Sequence, residues 1–157
     1  MYGFKPIGRL DGKTNFAIRR HTVGGTAIAA GDAVKLANGV LATVSADDKI
    51  YGVALEVGAA AAKNIAVCVD PYMVYLVDFD NDTNTYGATT STYSPGNYFS
   101  IIATTAQQQI DTSTGSTTTG EVLALSYNPQ IAPFEADTSI GEVVIVGLQH
   151  VQGATNT

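Results

Sequence analysis

Asn38-Gly39 stands between two short apolar runs, Ala33–Leu36 and Val40–Val44, and this pair constrains the fold more than any other feature of the chain. A two-residue type I′ hairpin turn needs positive φ at both central residues, which Asn and Gly tolerate best. Gly31-Asp32 marks a turn before the first run. Ser45-Ala46-Asp47-Asp48 breaks the second, and Ile50–Leu55 begins a further strand. The stretch from Ala29 to Ala54 therefore reads as a β-meander with one half-buried face. It contains no nucleophile–base pair, metal-ligand spacing or phosphate loop.

The same grammar continues downstream. Ile65–Val69 is apolar on both alternating faces, as in a strand covered on both sides, and Asp70-Pro71 bends the chain before Met73–Phe79. Gly58–Lys63 has helical propensity but is too short to hold a helix alone, so it reads as a connecting turn. Tyr98–Thr104, Glu121–Tyr127 and Val143–Leu148 are further strands. Residues 80–97 read as a long polar loop or a weak hairpin closed by Pro95-Gly96-Asn97, and the Thr/Ser/Gly tract Asp111–Gly120 and Asn128–Asp137 as connections. Short strands, frequent turn signals and no convincing helix predict an all-β fold: a small single-domain β-barrel or sandwich of short antiparallel strands with an extended N-terminal arm. The expected divisions are an arm over 1–23, a β-domain over 24–150 and a flexible tail over 151–157. The arm has an alternative, in which residues 1–23 supply the first strand of their own domain.

Charge separates the arm from the body. Only 14% of the 157 residues are charged, so the polar surface is largely Thr, Ser, Asn, Gln and Gly. All eight Lys and Arg lie at or before Lys63. Residues 1–23 hold Lys5, Arg9, Lys13, Arg19 and Arg20 against Asp11 alone, a balance of +4, whereas residues 64–157 hold nine acids and no base. A basic arm is compatible with nucleic acid, but an acidic body repels phosphate and five cations are too dispersed for a basic block. Docking onto an acidic protein surface, a neighbouring copy included, fits the opposed charges better. No apolar run is long enough for a membrane-spanning helix, and the first residues lack the apolar core of a signal peptide, so neither membrane insertion nor export by that route is expected. Cys68, the lone cysteine, sits within the apolar run IAVCV and reads as a buried small hydrophobe.

The acids hold the sharpest metal pattern. Asp78, Asp80, Asp82 and Asn84 occupy alternate positions of a DxDxDxN run. As an EF-hand loop it fails, with Thr83 in place of the turn glycine and Thr89 in place of the closing Glu. On a strand, Asp78, Asp80 and Asp82 would share one face, and either a Ca²⁺ or Mg²⁺ site or a set of solvated, partner-facing acids results. His21 and His150 have no ligand or triad neighbours at useful spacing, and no GxSxG elbow is present. Glu56, Glu121, Glu135 and Glu142 offer no preferred glycosidase pair, Trp is absent, and Gly24-Gly25 lacks phosphate-loop spacing. The chain is not expected to be an enzyme, and no cofactor is expected beyond Ca²⁺ at the acidic run.

The stretch AGDAVKLANGVLATVSADDKIYGVALEV resembles the opening of tailed-bacteriophage capsid decoration (cement) proteins, with their GDAVKL…G…A…DD…GVA pattern. GNYFSIIATTAQQQIDTSTGSTTTGEVLALSYNP is similar in layout to phage virion proteins. The resemblance implies a head-stabilising β-domain on the outer surface of the virion capsid, bound to the major capsid protein and to other copies of itself, often as trimers. It implies that the segment from Tyr2 to Arg20 docks on the lattice, with Tyr2, Phe4, Ile7, Arg9, Arg19 and Arg20 as the capsid contacts. An alternative is a head fibre or adhesin-like module touching host glycans through the polar loops at 83–97 and 111–120, with Tyr86 and Tyr93 as platforms. A small hydrolase is a third, unsupported by any acid–base constellation.

Overall fold

Burying the two faces of so many short strands requires more than one layer, and the chain solves this with two sheets. The computed structural model describes residues 3–45, 48–79, 96–103, 108–127 and 139–149. All regular structure among them is strand: β1 (Lys5–Arg9), β2 (Ile18–His21), β3 (Ala33–Ala37), β4 (Val40–Thr43), β5 (Gly52–Ala54), β6 (Ile65–Cys68), β7 (Met73–Phe79), β8 (Tyr98–Ala103), β9 (Gln108–Ser116), β10 (Val122–Tyr127) and β11 (Ser139–Ile145). The all-β expectation holds.

The larger sheet runs β1-β7-β11-β10-β8-β9 and closes into a small barrel, because β9 returns to pair with β7 in parallel at Phe79↔Ile110. β1 takes the other part of that β7 edge, Lys5↔Leu76 to Arg9↔Met73. Register shifts in β8 and β10 supply the local bends that a tight closure needs. The second sheet runs β2-β6-β5-β3-β4. It also curls, since Val23 bridges in parallel to Leu41 of β4 and the Leu41 N–H donates to the Thr22 carbonyl.

Alternation sorts the side chains. In the second sheet Val34, Leu41, Ala54, Ile65 and Val67 point into its own core, while Ala33, Val53 and Cys68 point the other way, into the core shared with the barrel. That shared core contains Phe79 and Phe99, edge to face with centroids 5.6 Å apart. Cys68 and the whole of β6 are buried, as the doubly apolar pattern predicted. The hairpin is also as expected: Ala37 pairs with Val40, and Asn38 and Gly39 have φ of 50° and 82°.

Gln108 ties the two sheets together. Its buried amide accepts from the Ala33 N–H at 2.5 Å and donates to the carbonyls of Ala33 and Val44 at 3.0 and 3.2 Å. It acts as an inserted peptide unit, serving backbone groups that the ladder leaves over. Gln108→Ala is expected to cost about 2–4 kcal/mol, because it strands a buried donor and acceptors as well as removing bonds. Urea unfolding measures it, and a loss below about 1 kcal/mol would mean that water replaces the amide.

Asp32 is a second buried polar group. It accepts from the Ala29 N–H at 2.8 Å. Burial pushes its carboxyl above the ordinary value of 3.8, and that hydrogen bond offsets the shift only in part. With the folded value raised, the stability it contributes is complete below 3.8 and is lost as pH rises through the folded value. As pH rises above about 4, Asp32→Asn should therefore gain on the parent chain in unfolding free energy until the folded value is passed. Parallel profiles for the two chains would contradict this.

Two expectations are corrected. The Asp111–Gly120 tract is not a loop throughout, because β9 runs to Ser116, paired from Ala103↔Gln108 to Tyr98↔Ser116 with β8. The buried Gln108, Gln109 and Ile110 start that strand, and the threonines that follow suit extended backbone. Residues 5–9 and 18–21 are extended, but they do not leave the body: β1 lies along β7 and β2 along β6. The alternative, in which this segment supplies strands of its own domain, describes it. Residues 80–95 of the connection expected at 80–97, the whole of that expected at 128–137, and the tail at 151–157 lie outside the described residues.

Candidate protein-docking surface

The face built by residues 5–20 is organised by one buried ion pair. Arg9 closes β1, and its guanidinium meets the Asp70 carboxylate at 3.0 Å in the turn between β6 and β7. The same Nη1 donates to the Asn15 carbonyl at 2.5 Å and Nη2 donates to Asp11 at 2.8 Å, so the connection from β1 to β2 folds around it. Asp70 also accepts from the Ala17 N–H at 3.1 Å and the Tyr72 N–H at 2.9 Å. The Tyr72 ring stands 5.6 Å from the guanidinium carbon, a cation–π contact. A single charged cluster thus fixes residues 9–17 against the body.

What that scaffold presents outward is apolar and basic. Ile7, Leu10, Phe16, Ile18 and Tyr72 are all exposed. Pro6, Ile7, Phe16 and Met73 line a cleft of about 510 Å³, with Arg9 and Lys13 on its polar side. Among the described residues Lys5 and Arg19 have no carboxylate partner, and the 74% exposed Lys13 is 3.7 Å from an Asp11 that Arg9 already holds.

The predicted contacts separate accordingly. Ile7 is 46% exposed, and Arg19 is open to solvent. Phe4 is corrected: it is 1% exposed, packed edge-on against Tyr75 at 5.9 Å, with its N–H donating to the Gly31 carbonyl at 2.7 Å. A lone aromatic between Gly3 and Lys5 suited the core as well as an interface. Arg9 is 14% exposed and both terminal nitrogens of its guanidinium are engaged, so it positions the face and does not extend from it. Arg20 pairs with Glu56 at 3.1 Å and donates to the Asn64 carbonyl, which anchors β2 to the sheet. Tyr2 lies outside the described residues. Sequence reasoning missed Lys13, Phe16 and Met73 as cleft residues and Asp70 as the hub, since Asp70-Pro71 carried only a bend signal.

Asp78 is wholly buried in β7, and burial pushes its carboxyl up, opposite to what an ionised ligand facing solvent requires. Asp80 and Asp82 lie outside the described residues, and among the described residues no three His, Cys, Asp or Glu gather as a metal site. Five hydroxyls of the 111–119 tract are turned on their own segment: Ser113 donates to Asp111, Thr114 to the Asp111 carbonyl, and Ser116 bonds Thr118 and Thr119. None of the described helices is long and apolar enough to cross a membrane, there being no helix among those residues. No protein-family model, curated protein or solved structure matches the chain.

Proposed function

We propose that this chain is a structural, non-catalytic virion protein that binds the outer surface of an assembled phage capsid and cements neighbouring subunits of the major capsid protein. One observation carries the reading: a single segment, residues 5–20, combines exposed Ile7, Leu10, Phe16 and Ile18 with Lys5, Lys13 and Arg19, cations that the fold does not bury. Exposed apolar groups gathered on a small domain mark an interaction surface. The sequence resemblance to capsid decoration proteins supplies the partner. Cementing needs no chemistry. A domain that binds the assembled lattice and not its separated subunits stabilises the lattice by mass action, and copies that touch one another add to the effect.

The charge reversal Lys5→Glu with Arg19→Glu removes two cations that have no carboxylate partner among the described residues, Arg19 donating to the adjacent Ile18 carbonyl, so folding should survive it. Co-sedimentation with expanded capsid shells is expected to weaken about tenfold at low salt, and the remaining binding should lose most of its salt dependence. Unchanged binding at every salt concentration would contradict the docking face.

A further inference from the structure

An extended partner can be held on a β-body as a strand added to a sheet edge or by side chains seated in a pocket. The free edge of β1 is closed to strand addition. Pro6 has no N–H to donate, and the register shift between Pro6 and Gly8 bulges the strand at Ile7. The same bulge opens the second route, since Ile7 and Phe16 wall a cleft of about 510 Å³ over buried Met73. That volume is within the range of pockets that enclose a bound group.

The charges around the cleft select among occupants. Arg9 is consumed by Asp70, Asp11 and Asn15, so it adds no free cation. Lys13, on the rim, keeps most of its charge for a partner, because its one carboxylate neighbour is 3.7 Å away and shared with Arg9. Lys5 precedes the cleft-lining Pro6 and has no carboxylate partner among the described residues. Asp11, the one acid between residues 3 and 23, is already paired with Arg9 at 2.8 Å. A basic ligand would meet only repulsion there. An uncharged apolar ligand would fill the cleft with nothing to orient it.

We infer that the cleft is a receptor for one bulky apolar side chain carried on an acidic, extended segment of the docking partner. The anchor packs between Ile7 and Phe16, and carboxylates flanking it meet Lys13 and Lys5. This builds on the docking reading above and names the chemistry that the docking partner must present.

The test uses the full chain, isotope-labelled for amide NMR, and two capped synthetic peptides. One is Ser-Asp-Glu-Phe-Asp-Glu-Ser; the other carries lysine at each acidic position. The acidic peptide should shift amides of residues 5–16 and Met73, and the basic peptide should bind at least about tenfold more weakly. Lys13→Glu should abolish that preference without moving the thermal midpoint, since the side chain is 74% exposed. Phe16→Ala should weaken the acidic peptide about tenfold. Equal binding of both peptides, shifts scattered over the body, or indifference to Lys13→Glu would overturn the inference. Capsid co-sedimentation of the same variants separates the two readings. Particle binding untouched by Phe16→Ala and Lys13→Glu removes the cleft and leaves the docking face. Peptide binding without particle binding keeps the cleft and removes the capsid.

Discussion

Asp70→Ala is expected to lower the unfolding free energy by about 3–5 kcal/mol, the cost of leaving one half of a buried ion pair without its partner. Three groups lose their acceptor together: the Arg9 guanidinium, the Ala17 N–H and the Tyr72 N–H. Arg9 keeps Asp11 at 2.8 Å, which places the loss near the lower end of that range. In a domain of this size roughly 2–4 °C is lost per kcal/mol, so the thermal midpoint should fall by about 6–12 °C. Asp70→Asn retains an acceptor for the backbone donors and should cost less. Residues 10–17 should become accessible to protease in both variants, because the cluster is what holds them. A change below about 1 kcal/mol in urea unfolding would show that the pair is a bystander.

Gly52→Ala is expected to be at least as damaging, for a different reason. A Cβ at Gly52 would stand 2.3 Å from the Cys68 carbonyl oxygen and 2.7 Å from Val67 Cγ1. The first of these is backbone, held by the pairing of β5 with β6 at Val53↔Cys68 and Ala54↔Val67. It cannot swing aside as a side-chain tip would. Relief means parting two central strands of the second sheet, at about 3 kcal/mol or more, beyond ordinary overpacking. Gly39→Ala is the control. Its φ is +82° but nothing lies within 4 Å, so only backbone strain of about 1–2 kcal/mol is expected. Equal losses at the two sites would contradict the steric account.

Much of the fold was legible because it rests on local signals. Asn38-Gly39 specifies its own turn, and the doubly apolar Ile65–Cys68 can only lie between two layers. β7, β8 and β10 stand where alternation or continuous apolar runs placed them. Pairing was not legible. Nothing local says that β9 returns to β7 through a single parallel contact, or that a glutamine at 108 serves the backbone of residues 33 and 44. Those are long-range choices, made by what the cores leave unsatisfied.

The candidate docking surface shows the same division. The excess of cations over residues 1–23 was visible, yet the charges do not act alike. Arg9 and Arg20 are spent on Asp70 and Glu56, which lie 61 and 36 residues away in the chain, so only the fold distinguishes them from Lys5, Lys13 and Arg19. Phe4 and Phe16 look equivalent as aromatic anchors, but one packs on Tyr75 and the other walls the cleft. A burial pattern cannot be read from two isolated aromatics in an irregular segment.

The central claim is that this chain is a component of a capsid surface, and its copy number in purified particles tests that most directly. Particles from the source of the sequence would be measured by quantitative mass spectrometry, with the main coat protein as the internal standard. The account predicts that the chain is present in amounts comparable to the coat protein, as a lattice-wide cement requires. A handful of copies per particle would contradict that and favour a fibre at a vertex. Absence from the particles would remove the capsid reading altogether.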